Sequence, residues 1–457
     1  MSNRRRDFPP LGGGRAERTA EFIPLLVVGA LALLALTLWI WRSSKIETGT
    51  LHKLSLTEAT VVAPRQLPVG PPPPPQLEVP QLPADAVFSA WRARDGKAIL
   101  VRPGGSELEL TLEPEVQRAI EKRLAVSRAP YAAVILMDPA TGAVLAMAEG
   151  RQGDSPNASQ HGVTRANMPA ASIFKLVTAA ALLDAGVDPA VPRCYHGGSR
   201  SIDESHLIAE PHDTTCATMR EAMARSINPV FARLATENLT AGDLAAAAED
   251  LQFGRHIPFD VATEPSRLAV DAGALALGRA AAGFDGAELS PIHAALLAAT
   301  VANDGLTMRP YLVAADSLQP GLRRKPLSIG RAMPASRAKA IAALMSDTVS
   351  AGSATRQFQP WPDDLAGVTV AGKTGTIDRN DDHYAGYTWF VGFAPADNPK
   401  VVVAAVAVND RGWWMRGPTL ARYALISWLQ AHPDVVAATR APVAIVAPPP
   451  SATPDPT

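Results

Sequence analysis

Residues 368–408 read VTVAGKTGTIDRNDDHYAGYTWFVGFAPADNPKVVVAAVAV and contain three apolar runs separated by polar segments. The runs at 368–377, 387–395 and 401–408 are rich in β-branched and aromatic residues, which is typical of buried strands. Residues 396–400, ADNPK, favour a tight connection between the last two runs. The pattern therefore predicts antiparallel strands near the C-terminal end of a folded domain.

A second pair of apolar runs lies near the start of the same region. AAVILM (132–137) and AVLAMA (143–148) flank DPATG and predict a β-hairpin. A helix is expected before it in EVQRAIEKRLA, with Pro114 in its first turn. Residues 172–350 are rich in Ala and Leu and favour helices. This order predicts an α/β (α+β) domain with one antiparallel sheet built from both ends, helices on its faces and an added helical lobe.

The composition of the 457-residue chain limits its possible functions. Hydrophobic residues make up 47% and charged residues 19%, so a large buried core can form. The net charge of −1 provides no basic excess, which excludes a nucleic-acid partner. The nine histidines show no HExxH-type spacing, and we expect neither a metal nor a cofactor.

The N-terminal sequence predicts a membrane anchor. Residues 22–41, FIPLLVVGALALLALTLWIW, are uncharged and long enough for a single transmembrane helix. Five arginines precede this run, which favours a cytoplasmic location for residues 1–21, a disordered tail. A cleaved signal peptide is the alternative, but no small-residue cleavage site follows the run. The expected location is the inner (cytoplasmic) membrane, with the folded domain extracytoplasmic.

Proline-rich segments mark the expected ends of the folded domain. Residues 64–83 include five consecutive prolines, which favour polyproline II, so we interpret residues 42–84 as an extracytoplasmic stalk. Residues 441–457 are again Pro-rich and are expected to be a disordered tail. The folded domain is therefore predicted to span residues 85–440.

The first of three candidate chemical motifs contains Ser172 and Lys175. They begin an apolar run, so the serine is expected near a helix N-terminus with the lysine one turn along on the same face. An apolar setting would lower the pKa of Lys175 and make it a candidate general base. Ser-x-x-Lys is a weak motif by itself, and a Ser N-cap followed by a solvated lysine is the alternative.

The second and third motifs are SIN and KTGT. Ser226 and Asn228 lie near a predicted helix end before a proline, where a hydroxyl and an amide could relay a proton and bind a carbonyl, or could simply be polar. KTGT lies between two predicted strands and consists of Lys373, Thr374, Gly375 and Thr376. Its lysine and hydroxyls could hold a carboxylate, while Gly375 and Gly372, just before the motif, would let a peptide add along the strand edge. A plain turn is the alternative.

The order and separation of SxxK, SxN and KTG resemble the penicillin-binding protein and serine β-lactamase superfamily. The resemblance extends to LTLEPEVQRAI, MDPATGAVLAMA, LSPIHAALLAATVANDGLTMRPYLV (289–313) and TWFVGFAPADNPKVVVA (388–404), and covers about residues 110–430. It implies a five-stranded antiparallel sheet covered by helices, and a penicillin-binding transpeptidase domain at 85–440. We expect no glycosyltransferase domain, so the resemblance is to the monofunctional class B members.

The resemblance also implies a role for each motif residue. Ser172 would attack the penultimate D-Ala carbonyl of a peptidoglycan stem, with Lys175 as its base. Ser226 would pass a proton to the leaving amine, and Asn228 would orient Lys175 and the substrate amide. KTGT would bind the terminal carboxylate, and the backbone N–H groups of Ser172 and Thr376 would form the oxyanion hole. β-Lactams, which mimic D-Ala-D-Ala, would acylate Ser172.

Transfer to an amine of a second stem would make the protein a D,D-transpeptidase. A membrane glycosyltransferase and divisome or elongasome proteins are its expected partners. The alternatives are a D,D-carboxypeptidase or β-lactamase, in which water resolves the acyl-enzyme, and a catalytically idle β-lactam-binding component. Glu264 resembles the deacylating glutamate of class A β-lactamases, but Leu268 stands where that family has asparagine, so we expect no catalytic role for it.

Two pairs of residues outside the motifs have open roles. Cys194 and Cys216 bracket a loop with three histidines; outside the cytoplasm a disulfide is the simplest interpretation, with a zinc site that includes His212 or two free thiols as alternatives. Trp413 and Trp414 follow the last predicted strand. They are expected to line the substrate groove or to pack in the core.

Overall fold

The computed structural model describes residues 77–79, 81–83, 87–88 and 90–440. The predicted cytoplasmic tail, the transmembrane helix, most of the stalk and the C-terminal tail lie outside these residues. Within them, no helix has both the length and the apolar character needed to cross a bilayer.

Most strands of the described region are short, and three long ones lie near its C-terminal end. They are β1 (Trp91–Arg94), β2 (Lys97–Val101), β3 (Glu107–Leu110), β4 (Tyr131–Met137), β5 (Val144–Arg151), β6 (Met168–Pro169), β7 (Arg193–Tyr195), β8 (Thr215–Ala217), β9 (Arg267–Leu268), β10 (Ala287–Leu289), β11 (Leu306–Met308), β12 (Val313–Asp316), β13 (Ser328–Arg331), β14 (Ala371–Asn380), β15 (Tyr384–Ala394) and β16 (Val401–Asn409).

Most of the α-helices in the described part of the chain lie between β5 and β14. The α-helices are α1 (Pro114–Ala125), α2 (Pro156–Ser159), α3 (Lys175–Asp184), α4 (Met219–Arg225), α5 (Asn228–Asn238), α6 (Ala241–Asp250), α7 (Ala274–Ala282), α8 (Pro291–Ala302), α9 (Ala335–Ser350), α10 (Thr355–Phe358), α11 (Gly417–Ala431) and α12 (Pro433–Arg440). Short 3₁₀ segments lie at Ala171–Phe174, Glu204–Leu207 and Asp363–Leu365.

The central sheet has five antiparallel strands in the order β14-β15-β16-β4-β5. Both predicted hairpins, β4–β5 and β15–β16, are present, and β16 pairs with β4 to join the two ends of the domain. The predicted mixed α/β fold with a five-stranded antiparallel sheet is therefore confirmed. Within this sheet β14 is an edge strand, so one of its two sides pairs with no other strand of the sheet.

The sheet separates two hydrophobic cores because successive strand residues face opposite sides. In β15, Trp389 and Val391 belong to the core that contains Phe174 next to α3. The intervening Phe390 belongs to the other core, which includes residues of α1 and α11. Both faces of β15 and β16 are thus covered, which explains why their sequences are apolar throughout.

Helix α3 is buried on almost every side between the sheet and the helical lobe. All residues from Lys175 to Leu182 are buried. An all-round apolar helix can only be accommodated inside a large core. Because Lys175 is the first residue of α3, its amine lies in an apolar environment.

A second sheet, of order β1-β2-β3-β12, was not predicted from the sequence. It begins with the β1–β2 hairpin, whose turn residues Asp95 and Gly96 both have positive φ. Asp-Gly is a preferred pair for such a two-residue turn, and this local signal was missed. The pairing of β3 with β12 joins residues about 200 positions apart, and no local pattern specifies it.

Candidate active site

The 3₁₀ segment Ala171–Phe174, which contains the candidate nucleophile Ser172, lies directly against the edge strand β14. We call it the nucleophile segment. A Cβ atom on Gly375 would lie 3.2–3.3 Å from atoms of Ile173, Trp389 and Ala171, so the glycine permits the two segments to touch. At Gly372 a Cβ would fall 2.2 Å from the ring of Phe390. The glycines therefore serve internal packing. That they also leave room for a peptide along the strand edge stays a prediction.

Ser172 is held in the 3₁₀ segment that precedes α3. Its neighbour Ala171 has a φ of +49°, and the buried side chains of Ile173 and Phe174 anchor the segment in the core. Gly283, with a φ of +88°, packs so closely that a Cβ there would lie 2.1 Å from the Ala171 carbonyl oxygen. Two elements therefore fix the position of Ser172. Helix α3 follows it directly in the chain, and the turn that ends α7 packs against Ala171.

Lys175 is fully buried, and its Nζ makes three short contacts. The atom lies 2.8 Å from Ser172 Oγ, 2.7 Å from Asn228 Oδ1 and 2.6 Å from the carbonyl oxygen of Ala282. Burial, reinforced by the nearby Lys373 ammonium, holds the pKa of Lys175 well below its ordinary value. The structure thus places a lysine with a lowered pKa in contact with the candidate nucleophile.

The SIN segment connects α4 to α5 and contributes two of the site groups. Ser226 ends α4 in the left-handed conformation, with φ +60°, and Pro229 lies in the first turn of α5, where a missing N–H costs nothing. Asn228 also donates from Nδ2 to the carbonyl oxygens of Gly198 and Ser199, at 3.2 and 3.1 Å. Its amide is therefore oriented with the oxygen toward Lys175.

Lys373 joins the strand β14 to the SIN segment. Its side chain is buried, and Nζ donates to Ser226 Oγ at 3.0 Å and to the Thr374 carbonyl oxygen at 2.9 Å. Burial lowers the pKa of Lys373 to about 7. The Thr374 hydroxyl lies 2.6 Å from Ser353 Oγ, while Thr376 is exposed further along the strand. Ser353 was not predicted, because nothing in its local sequence marks it.

Residues of the three motifs are therefore in contact with one another beside the edge of the sheet. Residues 132–419 match the family model of the penicillin binding protein transpeptidase domain. The chain belongs to this family.

Individual members support the assignment. Peptidoglycan D,D-transpeptidase PbpA of Mycolicibacterium smegmatis is 31% identical over 351 residues, which cover 68% of this chain and 68% of that protein. A solved structure of penicillin-binding protein A from M. tuberculosis, a penicillin G acyl-enzyme complex, has a TM-score of 0.59 and 25% identity, and the match covers 71% of this chain and 81% of that one. The D,D-transpeptidase domain of a peptidoglycan glycosyltransferase from Eggerthella lenta has a TM-score of 0.57 and 28% identity, over 72% and 84% of the two chains. The predicted resemblance to class B transpeptidases is confirmed.

Glu264 of this penicillin-binding protein forms no recorded contact with the three motifs. Its carboxylate lies 3.6 Å from Arg165 Nε and accepts a hydrogen bond from the backbone N–H of Ala166 at 3.1 Å. These contacts tie together two loop segments.

Cys194 and Cys216 face each other across the β7–β8 pair and are joined by a disulfide. Cys216 is therefore not a thiolate ligand, and no group of three metal-binding side chains occurs among the described residues. His196 lies in the enclosed loop and pairs with the buried Asp213 at 2.6 Å; Asp213 also pairs with Arg233 at 2.8 Å. The loop is thus a compact unit beside α5.

The two tryptophans after β16 lie outside the catalytic groove of this penicillin-binding protein. Trp413 packs against Gly386, and the Arg416 guanidinium lies 5.2 Å from its ring centroid. Gly386 is on the face of β15 shared with Phe390, opposite to the face that meets the serine segment. Trp414 is 57% exposed. The expectation that they line the substrate groove is therefore wrong.

Proposed function

We propose that this penicillin-binding protein is a peptidoglycan D,D-transpeptidase that works through an acyl-enzyme at Ser172. The observation that carries the proposal is the set of contacts around the buried Lys175 amine. A neutral amine has two N–H donors and one lone pair. If Asn228 Oδ1 and the Ala282 carbonyl accept the two N–H groups, the lone pair is left for the hydroxyl proton of Ser172. This arrangement is that of a general base poised on its nucleophile.

The acylation step follows from these positions. Ser172 Oγ would attack the penultimate D-Ala carbonyl while its proton moves to Lys175 Nζ. The carbonyl oxygen would become an oxyanion, which the N–H groups of Ser172 and Thr376 are suited to stabilise because Gly375 packs against the nucleophile segment. The C–N bond then breaks, and the departing amine needs a proton. Ser226 Oγ–H, hydrogen-bonded to Lys373, can deliver it.

Substrate orientation is assigned to the KTGT segment. Lys373, when protonated, and the hydroxyls of Thr374 and Thr376 would bind the carboxylate of the terminal D-Ala. In the second step an amine of another stem would attack the acyl-enzyme carbonyl and pass its surplus proton to Ser226 Oγ, the reverse of the path by which the departing amine received one. The new amide would form as the bond from the carbonyl carbon to Ser172 Oγ breaks, and Lys175 would return the proton to Ser172. β-Lactams would follow the first step only.

Hydrolysis is the second candidate outcome, and the geometry gives it less support. Among the described residues, the recorded side-chain hydrogen bond of Ser172 is with Lys175, and Glu264 is engaged with Arg165. No second base is therefore assigned to activate a water against the acyl-enzyme. An idle component is disfavoured as well, because burial of two lysines is costly unless it serves the site.

The location and partners of the protein belong to the same proposal. The apolar run at 22–41 supports a single-pass anchor in the inner membrane, with the catalytic domain on the extracytoplasmic side. The substrates there would be peptidoglycan stems on neighbouring strands. A membrane glycosyltransferase and the divisome or elongasome are the partners that such an enzyme would require.

The test is a donor–acceptor assay on the purified full chain in detergent. A pentapeptide stem ending in D-Ala-D-Ala is incubated with and without an acceptor amine, and products are identified by mass spectrometry. The proposal predicts release of D-Ala and an amide-linked product that needs both the acceptor and Ser172. Release of D-Ala with only the hydrolysed product, at saturating acceptor, would make the protein a carboxypeptidase instead.

A further inference from the structure

A cavity of about 230 Å³ lies next to the small sheet and has no residue of the three motifs in its lining. One wall is formed by Arg309 and Tyr311, which precede β12, and another by residues 323–327, which follow it. Leu77, at the start of the described region, completes the lining. The steps of the proposed function leave this cavity without a role.

Backbone hydrogen bonds fix the two walls of the cavity. The N–H of Arg309 donates to the carbonyl oxygen of Leu327 at 2.7 Å, which joins one wall to the other. The N–H of Arg324 donates to the carbonyl oxygen of Ala314, in β12, at 2.9 Å. Both arginine side chains therefore start from a fixed backbone, which lowers the entropy cost of ordering them around a ligand.

The lining of the cavity is strongly cationic. Half of its eight residues carry a positive charge, and none carries a carboxylate. The charged residues are Arg309, Arg323, Arg324 and Lys325. Two carboxylates outside the lining pair with part of this set. Glu109 lies 2.6 Å from Arg323, and the buried Asp260 pairs with Arg324. Four cations are thus matched by two carboxylates.

Arg309 and Lys325 are the cations that these carboxylates neutralise least. Nη2 of Arg309 lies 4.0 Å from Asp260, whose oxygens already accept hydrogen bonds from Arg324 and from two backbone N–H groups. Lys325 is exposed and forms no ion pair or hydrogen bond that is recorded with another described residue. The cavity therefore carries a positive charge that favours an anionic ligand.

The Arg324 guanidinium has donors that the described residues do not use. Its side chain is only 10% exposed, and its central carbon lies 6.0 Å from the ring centroid of Tyr311. Nη2 donates to Asp260, whereas the buried Nε has no hydrogen-bond partner among the described residues. Buried donors without a partner are rare in folded proteins. An oxyanion beside this guanidinium would supply an acceptor.

A phosphate group fits this set of donors better than a carboxylate does. A carboxylate offers one negative charge and two oxygens, which a single guanidinium can satisfy. Inorganic phosphate or a phosphate monoester carries between one and two negative charges at neutral pH and has at least three acceptor oxygens. It can therefore bind two guanidinium groups and an ammonium together, and its charge matches the excess of cations over carboxylates.

We propose that this cavity binds a phosphate group through Arg309, Arg324 and Lys325. The inference goes beyond the proposed function and does not depend on the acyl-enzyme. Inorganic phosphate and the head group of a phosphomonoester lipid present the same chemistry to these donors. In the lipid case, Leu77 and Leu327 of the same lining would contact the carbon atoms next to the phosphate.

The experiment measures phosphate binding to the purified full chain by isothermal titration calorimetry, in detergent and a chloride buffer of constant ionic strength. The test variant is Arg309→Gln with Lys325→Gln, which leaves both carboxylate pairs of the cavity in place. The control, Lys339→Gln with Lys400→Gln, removes the same charge at two exposed positions elsewhere. We expect one phosphate site in wild type and control, and a loss of affinity of about tenfold or more in the test variant.

Two membrane preparations identify the source of the phosphate group. The full chain is inserted into nanodiscs of equal parts phosphatidylcholine and either phosphatidylglycerol, a phosphodiester, or phosphatidic acid, a phosphomonoester. Inorganic phosphate is then titrated again. If the lipid head group is the ligand, phosphatidic acid should occupy the cavity, and added phosphate should bind about tenfold more weakly in those discs. Equal affinity in the two kinds of disc would identify inorganic phosphate as the ligand.

Penicillin acylation shows whether each variant is folded, because the cavity shares no residue with the motifs. Lys325→Gln alone changes one exposed side chain and should weaken phosphate binding by about threefold. A wild type without saturable phosphate binding, or one that binds acetate as tightly as phosphate, would overturn the assignment. So would an unchanged phosphate affinity in a folded test variant or, if that variant does not fold, in Lys325→Gln.

Discussion

Among single residues, Lys175 is the one on which the proposed chemistry depends most directly. Its amine is buried, has no carboxylate partner among the residues that the structure describes, and contacts an oxygen of Ser172, of Asn228 and of Ala282. A lysine in such surroundings is expensive to keep charged, so the neutral form that can accept a proton is favoured. Its position on α3 follows directly from the SxxK spacing.

Replacement of Lys175 by methionine should abolish most of the reactivity of Ser172. Methionine fills a similar volume but cannot accept the serine proton, so acylation by penicillin should slow about 10²- to 10⁴-fold. Stopped-flow acylation kinetics measure this directly. Lys339→Met, which removes a lysine whose side chain is 72% exposed, is the control and should react at the wild-type rate. A Lys175→Met protein that acylates as fast as this control would remove the lysine from the mechanism.

The pH dependence of kcat/KM should show one limb for each buried lysine. Lys373 binds the substrate carboxylate as a cation, and its pKa in the free enzyme is about 7, so activity should fall as the pH rises above that value. Lys175 must be neutral, so activity should also fall at low pH as this group, whose pKa is held well below the ordinary lysine value, becomes protonated.

The variant Lys373→Arg separates the two limbs. Arginine stays charged across the range, so the alkaline limb should move well above pH 7 while the acid limb remains. The pH dependence of kcat/KM is measured for the wild type and for Lys373→Arg with a donor that bears a terminal carboxylate. An alkaline limb that is identical in the variant would show that another group causes it.

The motif side chains could be predicted from the sequence, whereas several of their partners could not. SxxK, SxN and KTG have fixed spacings, so the sequence alone indicated Ser172, Ser226 and Lys373. The contacts to the carbonyl oxygens of Ala282 and Gly198 leave no trace in a sequence, because every residue has a carbonyl. Only the packing of α7 and of the disulfide-bridged loop brings these oxygens to the site.

At the scale of elements, the turn that ends α7 holds the nucleophile segment in place. Gly283→Ala should displace this segment, because the new Cβ would lie 2.1 Å from the Ala171 carbonyl oxygen. A misplaced nucleophile costs on the order of 10²-fold in rate, so penicillin acylation should slow by about that factor.

Gly153→Ala is the matched control for this change. Gly153 also has a positive φ, of +71°, but a Cβ there would meet nothing within 4 Å. Both variants carry the backbone strain of about 1 kcal/mol, so their thermal unfolding should be affected in the same direction. If the two variants acylate equally fast, the close contact at Gly283 has no role in positioning Ser172.

The disulfide-bridged loop is the second element that supports the site. Cys194→Ser with Cys216→Ser should lower the free energy of unfolding by about 3 kcal/mol, because the 22-residue loop is no longer closed in the unfolded chain. Acylation should also slow, since the carbonyl oxygens of Gly198 and Ser199 would hold Asn228 less firmly. Denaturant unfolding and acylation rates measure the two effects.

A reductant provides the internal control for this prediction. Reduction of the wild type should reproduce both effects, while the double variant should not respond to reductant at all. Unchanged unfolding and unchanged acylation after complete reduction would show that the loop supports neither the fold nor Asn228.

For the whole molecule, the central sheet could be predicted because its hairpins are local. The β4–β5 and β15–β16 pairs each combine apolar runs with a turn sequence, and both lie where they were expected. The pairing of β16 with β4 followed from the order of strands and helices along the chain. The small sheet of β1, β2, β3 and β12 was missed, because its last strand comes from a distant part of the chain and is only four residues long.

The proposed function confines the covalent step to Ser172, and this can be tested directly. The purified full chain is incubated with penicillin G, digested and analysed by mass spectrometry. We predict one penicilloyl adduct, on the peptide that contains Ser172, and none in Ser172→Ala. An adduct on a different peptide, or one that persists in Ser172→Ala, would contradict the assignment of Ser172 as the nucleophile beside a neutral Lys175.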